Sequence, residues 1–123
     1  RDDAPLRERL ERIYRIALDI YLSGESGPRG CFTVMTAASE AVSDPDIRSM
    51  VLEGLTELDK AFGICFRHAK ERGELPEGAD PAALAHLASA TIHTIAIRAR
   101  ARVPRGELEA IVKGAVDLMC RAQ

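Results

Sequence analysis

The sequence predicts an all-α fold: a single bundle of five helices. Apolar residues recur with the 3.6-residue period of an amphipathic helix, and no segment alternates polar and apolar residues as a strand does. Aromatic residues, which favour strands, make up only 4% of the chain, whereas alanine, which favours helices, is abundant. Because 123 residues is an ordinary domain size, residues 1–123 are expected to form one helical domain.

The first two predicted helices are separated by a break rich in glycine and serine. The first helix is predicted over residues 3–22, and residues 23–28 end it because Gly and Pro disfavour helix continuation. A short second helix is predicted over residues 30–43. The apolar face of the first helix consists of Leu6, Leu10, Ile13, Ala17 and Ile20.

The third predicted helix has clear signals at both ends. Asp44 suits the N-cap, Pro45 suits the first helical position, and Gly73 is a typical C-terminal stop. The helix between them is about 28 residues long, because Gly54 and Gly63 do not interrupt its periodicity. Its apolar stripe consists of Ile47, Val51, Leu55, Leu58, Phe62, Cys65, Phe66 and Ala69.

The fourth predicted helix carries two apolar stripes. It begins at Asp80 and Pro81, which repeat the start signal of the third helix, and ends near Arg102. The first stripe contains Leu84, Ala88, Ile92, Ile95 and Ala99. The second stripe lies about 140° around the helix axis and contains Ala83, Leu87, Ala90, Thr94, Ile97 and Ala101.

The fifth predicted helix runs from Pro104 to about Arg121 and is apolar over a wide arc. A fourth helix with two apolar stripes must bury both, one in the core and the other against a second copy of the chain. We therefore predict that the last two helices of two subunits form a four-helix bundle. The alternative is that the fourth helix is simply central within a monomer. The candidate dimer interface consists of Ala83, Leu87, Ala90, Thr94, Ile97, Ala101, Ile111, Ala115 and Leu118.

The aromatic residues all lie in the first three predicted helices. Aromatic side chains with a few polar groups are typical of pockets for small, largely apolar molecules. The alternative is that these residues only fill the core. The candidate ligand pocket consists of Tyr14, Tyr21, Phe32, Met35, Thr36, Phe62, Cys65 and Phe66.

Composition and charge restrict the expected cellular location of the protein and the partners that it can bind. A net charge of −2 gives the chain no drive toward nucleic acid. Cys31, Cys65 and Cys120 are an odd number without metal-type spacing, which favours a cytoplasmic protein without disulfides or zinc. The charged start argues against a signal peptide, and the longest uncharged stretch, residues 81–97, is shorter than the roughly 20 residues of a membrane span.

Catalytic motifs are missing from the sequence. It contains no Gly-rich phosphate loop, no G-x-S-x-G and no H-E-x-x-H. His86 and His93 lie on one helix without a carboxylate at metal-ligand spacing, so we interpret them as solvated or interface residues. No metal, cofactor or enzymatic activity is expected, and a small helical enzyme is the least favoured alternative.

Four stretches in order resemble the C-terminal domain of TetR-family (tetracycline-repressor) regulators. The first is Arg-Gly-Cys-Phe-Thr-Val-Met at residues 29–35, like the family's opening of a short helix before the long one. Ala-Lys-Glu-Arg-Gly-Glu-Leu at residues 69–75 is similar to the end of the long helix. Residues 80–85 and 95–100 are similar to the start and end of the penultimate helix. The resemblance covers about residues 6–118.

The resemblance implies a homodimer that senses a small molecule. The last two helices would pair with those of a second subunit, and the first three would enclose an effector pocket. Family members are usually repressors whose DNA affinity falls when a small, often apolar ligand binds. The family's helix-turn-helix domain is absent from this chain, so DNA binding is expected only through an N-terminal domain outside it, and the start at Arg1 without Met fits a truncated chain. A purely structural dimerisation module without a ligand is the alternative function.

Overall fold

The computed structural model describes residues 4–23 and 40–121, and these residues form four helices and no strand. The helices are α1 (Leu6–Tyr21), α2 (Pro45–Glu71), α3 (Pro81–Arg100) and α4 (Arg105–Cys120). The all-α class is therefore confirmed. Most of the predicted second helix lies outside the described residues, so the count of five helices stays a prediction.

The predicted start signals of α2 and α3 are confirmed. The Asp44 carboxylate accepts hydrogen bonds from the backbone N–H groups of Asp46 at 2.9 Å and Ile47 at 3.3 Å. Asp80 caps α3 in the same way, and in both helices a proline follows the cap. These contacts satisfy N–H groups that have no partner within the helix.

The end of α2 depends on a residue with positive φ. Gly73 has a φ of 79°, which glycine adopts without steric cost, and the N–H of Glu74 then donates to the carbonyl of Ala69 at 2.8 Å. Arg102 takes the corresponding position after α3, with a φ of 69°. The sharp reversal at Gly73 starts the connection from α2 to α3.

One hydrophobic core lies between the four helices. α3 contacts each of the other three helices, whereas α2 and α4 share no interface among the described residues. The largest fully buried side chains are Tyr14, Phe62, Phe66, Leu10, Ile95, Leu108 and Val116. α3 is thus the central helix of the fold.

The start of α1 is fixed against the connection between α2 and α3. The Leu6 N–H donates to the Glu74 carboxylate at 2.6 Å, and Arg72 donates to the carbonyl of Ala4 at 2.8 Å. α1 then packs chiefly against α4. Among the described residues, no helix combines the length and apolar character that crossing a membrane requires.

Candidate functional site

The two apolar stripes of α3 have different environments. Leu84, Ala88, Ile92 and Ile95 of the first stripe are buried in the core. In the second stripe, Leu87 is 59% exposed and Ile97 is 47% exposed. Ala83, Ala90 and Ala101 are also exposed, and Thr94 is half-buried. α3 is therefore central in the fold, yet its second stripe remains uncovered by the described part of the chain.

The second stripe continues onto α4. Leu118 is 67% exposed, and Ile111 and Ala115 are half-buried. A shallow groove of about 370 Å³ runs between the two helices, lined by Leu87, Ala90, Thr91, Thr94, Ala115, Leu118 and Met119. We call the combined surface the α3–α4 face: Ala83, Leu87, Ala90, Thr94, Ile97, Ala101, Ile111, Ala115 and Leu118.

Four of the predicted pocket residues lie together in the core. Tyr14, Phe62, Cys65 and Phe66 are buried, and the rings of Tyr14 and Phe62 stack with their centroids 5.8 Å apart. Tyr21 is half-buried at the end of α1. None of these five residues lines the groove between α3 and α4 or a second groove between α1 and α4.

The other three predicted pocket residues, Phe32, Met35 and Thr36, lie outside the described residues. The pocket as a whole therefore stays a prediction. The described part nevertheless brings Tyr14 of α1 and Phe62 of α2 into direct contact, although they are far apart in the sequence. Aromatic residues from two helices are thus adjacent, as the prediction requires.

The hydroxyl of Tyr14 has a partner within the protein. It donates to the backbone carbonyl of Ala88 at 2.8 Å, which ties α1 to the centre of α3. Burial raises the pKa of Tyr14 above its ordinary value of 10. The folded protein therefore favours the neutral phenol.

This shift predicts how stability depends on pH. Because the pKa of Tyr14 is raised on folding, its contribution is fully present below pH 10 and is lost as the pH rises further. Between pH 10 and 11 the free energy of unfolding should fall more steeply than in Tyr14→Phe, by up to about 1.4 kcal/mol per pH unit. Urea unfolding at a series of pH values measures both slopes. Tyr21→Phe is the control, and equal slopes for the wild type and Tyr14→Phe would contradict the prediction.

A second groove, of about 300 Å³, lies between α1 and α4 and is polar. Arg7 donates to Asp117 at 2.7 Å, and Arg105 donates to Asp19 at 2.8 Å. The hydrogen bond from Arg7 is the main reason that the pKa of Asp117 is lowered. These pairs offset the positive charge, so we assign no ligand to this groove. Its lining consists of Arg7, Glu11, Arg15, Leu18, Arg105, Glu109, Val112 and Lys113.

The polar residues between the two stripes of α3 differ in their exposure and in their polar contacts. The His86 side chain is 70% exposed, and its Nε2 lies 3.5 Å from a carboxylate oxygen of Asp59 on α2. Ser89 and His93 differ from it, because the Ser89 hydroxyl and the His93 Nε2 are both buried without a hydrogen-bond partner. Helical periodicity places Ser89 with His86 and His93 in the narrow polar strip between the two apolar stripes, but it does not show which of the three is enclosed.

Metal-ligating side chains are not grouped in the described parts of the chain, residues 4–23 and 40–121. No three His, Cys, Asp or Glu side chains there come close enough to hold an ion together. The α3–α4 face is a continuous apolar surface that the described part of the chain leaves uncovered. Such a face is typical of a surface that another protein covers.

Comparison with known proteins identifies the family. The family model described as the tetracyclin repressor-like, C-terminal domain matches residues 7–116, which extend from α1 into α4. Searches of curated proteins and of solved structures find no match. The resemblance drawn from the four sequence stretches is thus confirmed over nearly the same range. The chain belongs to the tetracyclin repressor-like family, as a C-terminal domain.

Proposed function

We propose that the chain is the ligand-sensing and dimerisation domain of a one-component TetR-type transcriptional regulator. Dimerisation would place two N-terminal DNA-binding domains on an operator, and a small, largely apolar effector would control their affinity. The regulator would act as a repressor. The α3–α4 face is the observation that carries this proposal.

The composition of the α3–α4 face suits close helix packing between two identical chains. Ala83, Ala90 and Ala101 are small, so two α3 helices can approach closely at these positions. Leu87, Ile97 and Leu118 supply exposed apolar area, whose burial stabilises a complex by roughly 25 cal/mol per Å². A two-fold axis through the face would let each copy cover the other's apolar residues.

Exposed apolar residues on α2 support the sensing part of the proposal. Every buried residue of α2 lies between Phe62 and Ala69, so the first half of this long helix buries none. Leu52 and Leu55 in that half are exposed. Leu55 lies two turns before Phe62 on the same face of α2, so these side chains offer an apolar ligand a surface next to the aromatic part of the core.

One observation favours the alternative of a structural module without a ligand. Tyr14 and Phe62 stack, both are fully buried, and the Tyr14 hydroxyl is already paired. Residues with this packing stabilise a core whether or not a ligand binds. The two functions differ in whether small molecules stabilise the folded chain.

Thermal unfolding in the presence of a library of small apolar and aromatic compounds tests the proposed function. A compound that binds only the folded chain at 100 times its Kd adds about 2.7 kcal/mol, which raises Tm by several degrees. We expect at least one compound class to give this concentration-dependent rise. If no class moves Tm, the structural module is the better description. The encoded residues upstream of Arg1 give a separate test, because the proposal requires a basic helix-turn-helix there.

A further inference from the structure

Two polar side chains on successive turns of α3 lack the partners that buried groups normally have. Ser89 is 5% exposed, and neither its hydroxyl nor the Nε2 of His93 makes a hydrogen bond. Buried polar atoms in folded proteins are nearly always paired, because an unpaired one has lost its water without gaining a replacement. Residues four apart on a helix are neighbours, so both atoms can serve one partner.

The position of these atoms follows from the pairing of α2 with α3. The two helices form an antiparallel hairpin, in which His86 meets Asp59. Moving seven residues forward on α3 from His86 reaches His93, and moving seven back on α2 from Asp59 reaches Leu52. Ser89 lies between His86 and His93 on α3, so this register predicts that it faces the turn of α2 that contains Leu55.

The neighbouring part of α2 has exposed apolar side chains. Leu52 is 62% exposed and Leu55 is 38% exposed, and neither side chain can form a hydrogen bond. No residue of α2 before Phe62 is buried, so a small movement of the turns around Leu52 and Leu55 takes no α2 side chain out of the core. A molecule that enters between α2 and α3 here therefore displaces no buried side chain of α2.

We infer that Ser89 and His93 bind the hydroxyl group of the effector, while its apolar body lies against Leu52 and Leu55. This inference rests on the proposed sensing function. A serine hydroxyl donates one hydrogen bond and can also accept, and the Nε2 of a neutral imidazole either donates or accepts one. Together they match the one donor and the acceptor pairs of an alcohol or phenol. The effector is thus a small, uncharged, mainly apolar molecule with one hydroxyl group.

Matched probes test the inference. The 4-alkylphenols from methyl to octyl are compared with the corresponding alkylbenzenes by calorimetric titration of the full chain. We expect the best phenol to bind at least tenfold more tightly than its alkylbenzene. Ser89→Ala and His93→Phe should each remove most of that preference while leaving alkylbenzene binding within about twofold, because only the hydroxyl loses its partners. His86→Phe, on the same strip but already beside Asp59, is the control and should leave the preference unchanged.

Two further readouts separate a binding role from a structural one. On addition of the phenol, the imidazole ¹⁵N resonances of His93 should shift, whereas those of His68 and His86 should not. Ser89→Ala should keep or raise Tm without ligand, because it removes a hydroxyl that has no partner.

Three results would overturn the inference. Equal affinity for phenols and alkylbenzenes would leave the sensing function in place and exclude a hydroxyl site. An unchanged preference in both variants would mean that the hydroxyl binds elsewhere and that Ser89 and His93 are only packed residues. Failure of both probe series to bind would exclude this ligand class, and the compound library above would then show whether sensing itself also fails.

Discussion

Arginine at Ala90 or at Ile97 is expected to convert the proposed dimer into a monomer. Both residues are exposed in the single chain and lie within the α3–α4 face. If a second copy covers this face, each subunit must bury an unpaired guanidinium, at a cost of about 3–5 kcal/mol per charge. Two such charges at a two-fold interface outweigh most of the gain from apolar burial. Sedimentation velocity at low micromolar concentration measures the change.

The control for this experiment is Ala61→Arg. Ala61 is an exposed alanine of α2, a helix that shares no interface with α4. The same charge there should leave the sedimentation coefficient of the wild type unchanged. Circular dichroism should show equal helix content in all variants. Dimers that persist in both Ala90→Arg and Ile97→Arg would mean that the chain associates through a different surface.

Phe62→Ala is expected to lower the free energy of unfolding by about 3–5 kcal/mol. Phe62 is 1% exposed and stacks on Tyr14, so truncation removes a ring from the contact between α1 and α2 and leaves a cavity. The loss is large beside the 5–15 kcal/mol that typically stabilises a domain. Urea unfolding measures it. Phe62→Leu, which removes less volume, extends the measurement if the alanine variant does not fold.

Ile64→Ala is the matched control for Phe62. Ile64 lies on the same helix and is 43% exposed, so its truncation should cost much less than that of the buried ring. The expected loss assumes that Phe62 is closely packed on all sides. A loss below about 1 kcal/mol in Phe62→Ala would contradict this packing and would indicate an open space beside the ring. Repeating the measurement with a ligand from the compound library then decides whether that space is the predicted pocket.

Local chemistry explains which parts of the fold were predictable. The caps at Asp44 and Asp80 and the stop at Gly73 depend on residues within one turn of each other, so the sequence contains all the information needed. The two stripes of α3 were equally predictable from the sequence, because helical periodicity assigns residues to faces. The burial of one stripe and the exposure of the other in a single chain is a property of the tertiary structure.

The partners of each helix were less predictable. Tyr14 and Phe62 were predicted to line one pocket, and their rings do stack, although the pocket itself stays a prediction. Yet α1 packs chiefly against α4, and periodicity states which face is buried without stating against what. The same limit applies to Ser89 and His93. Tertiary packing encloses their polar atoms, and helical periodicity does not state which polar residues of a helix become enclosed.

Because α3 is one continuous helix at the centre of the fold, its two sides move together as a rigid body. The strip of Ser89 and His93 and the second stripe lie about 100° apart around the same helix axis. A rotation of α3 by about 20° would move side-chain atoms on both sides by roughly 2 Å, because they stand about 5 Å from the axis. Coupling between two equilibria is reciprocal. A molecule that turns α3 on binding changes the association constant of the subunits, and association must change the affinity for that molecule by the same factor.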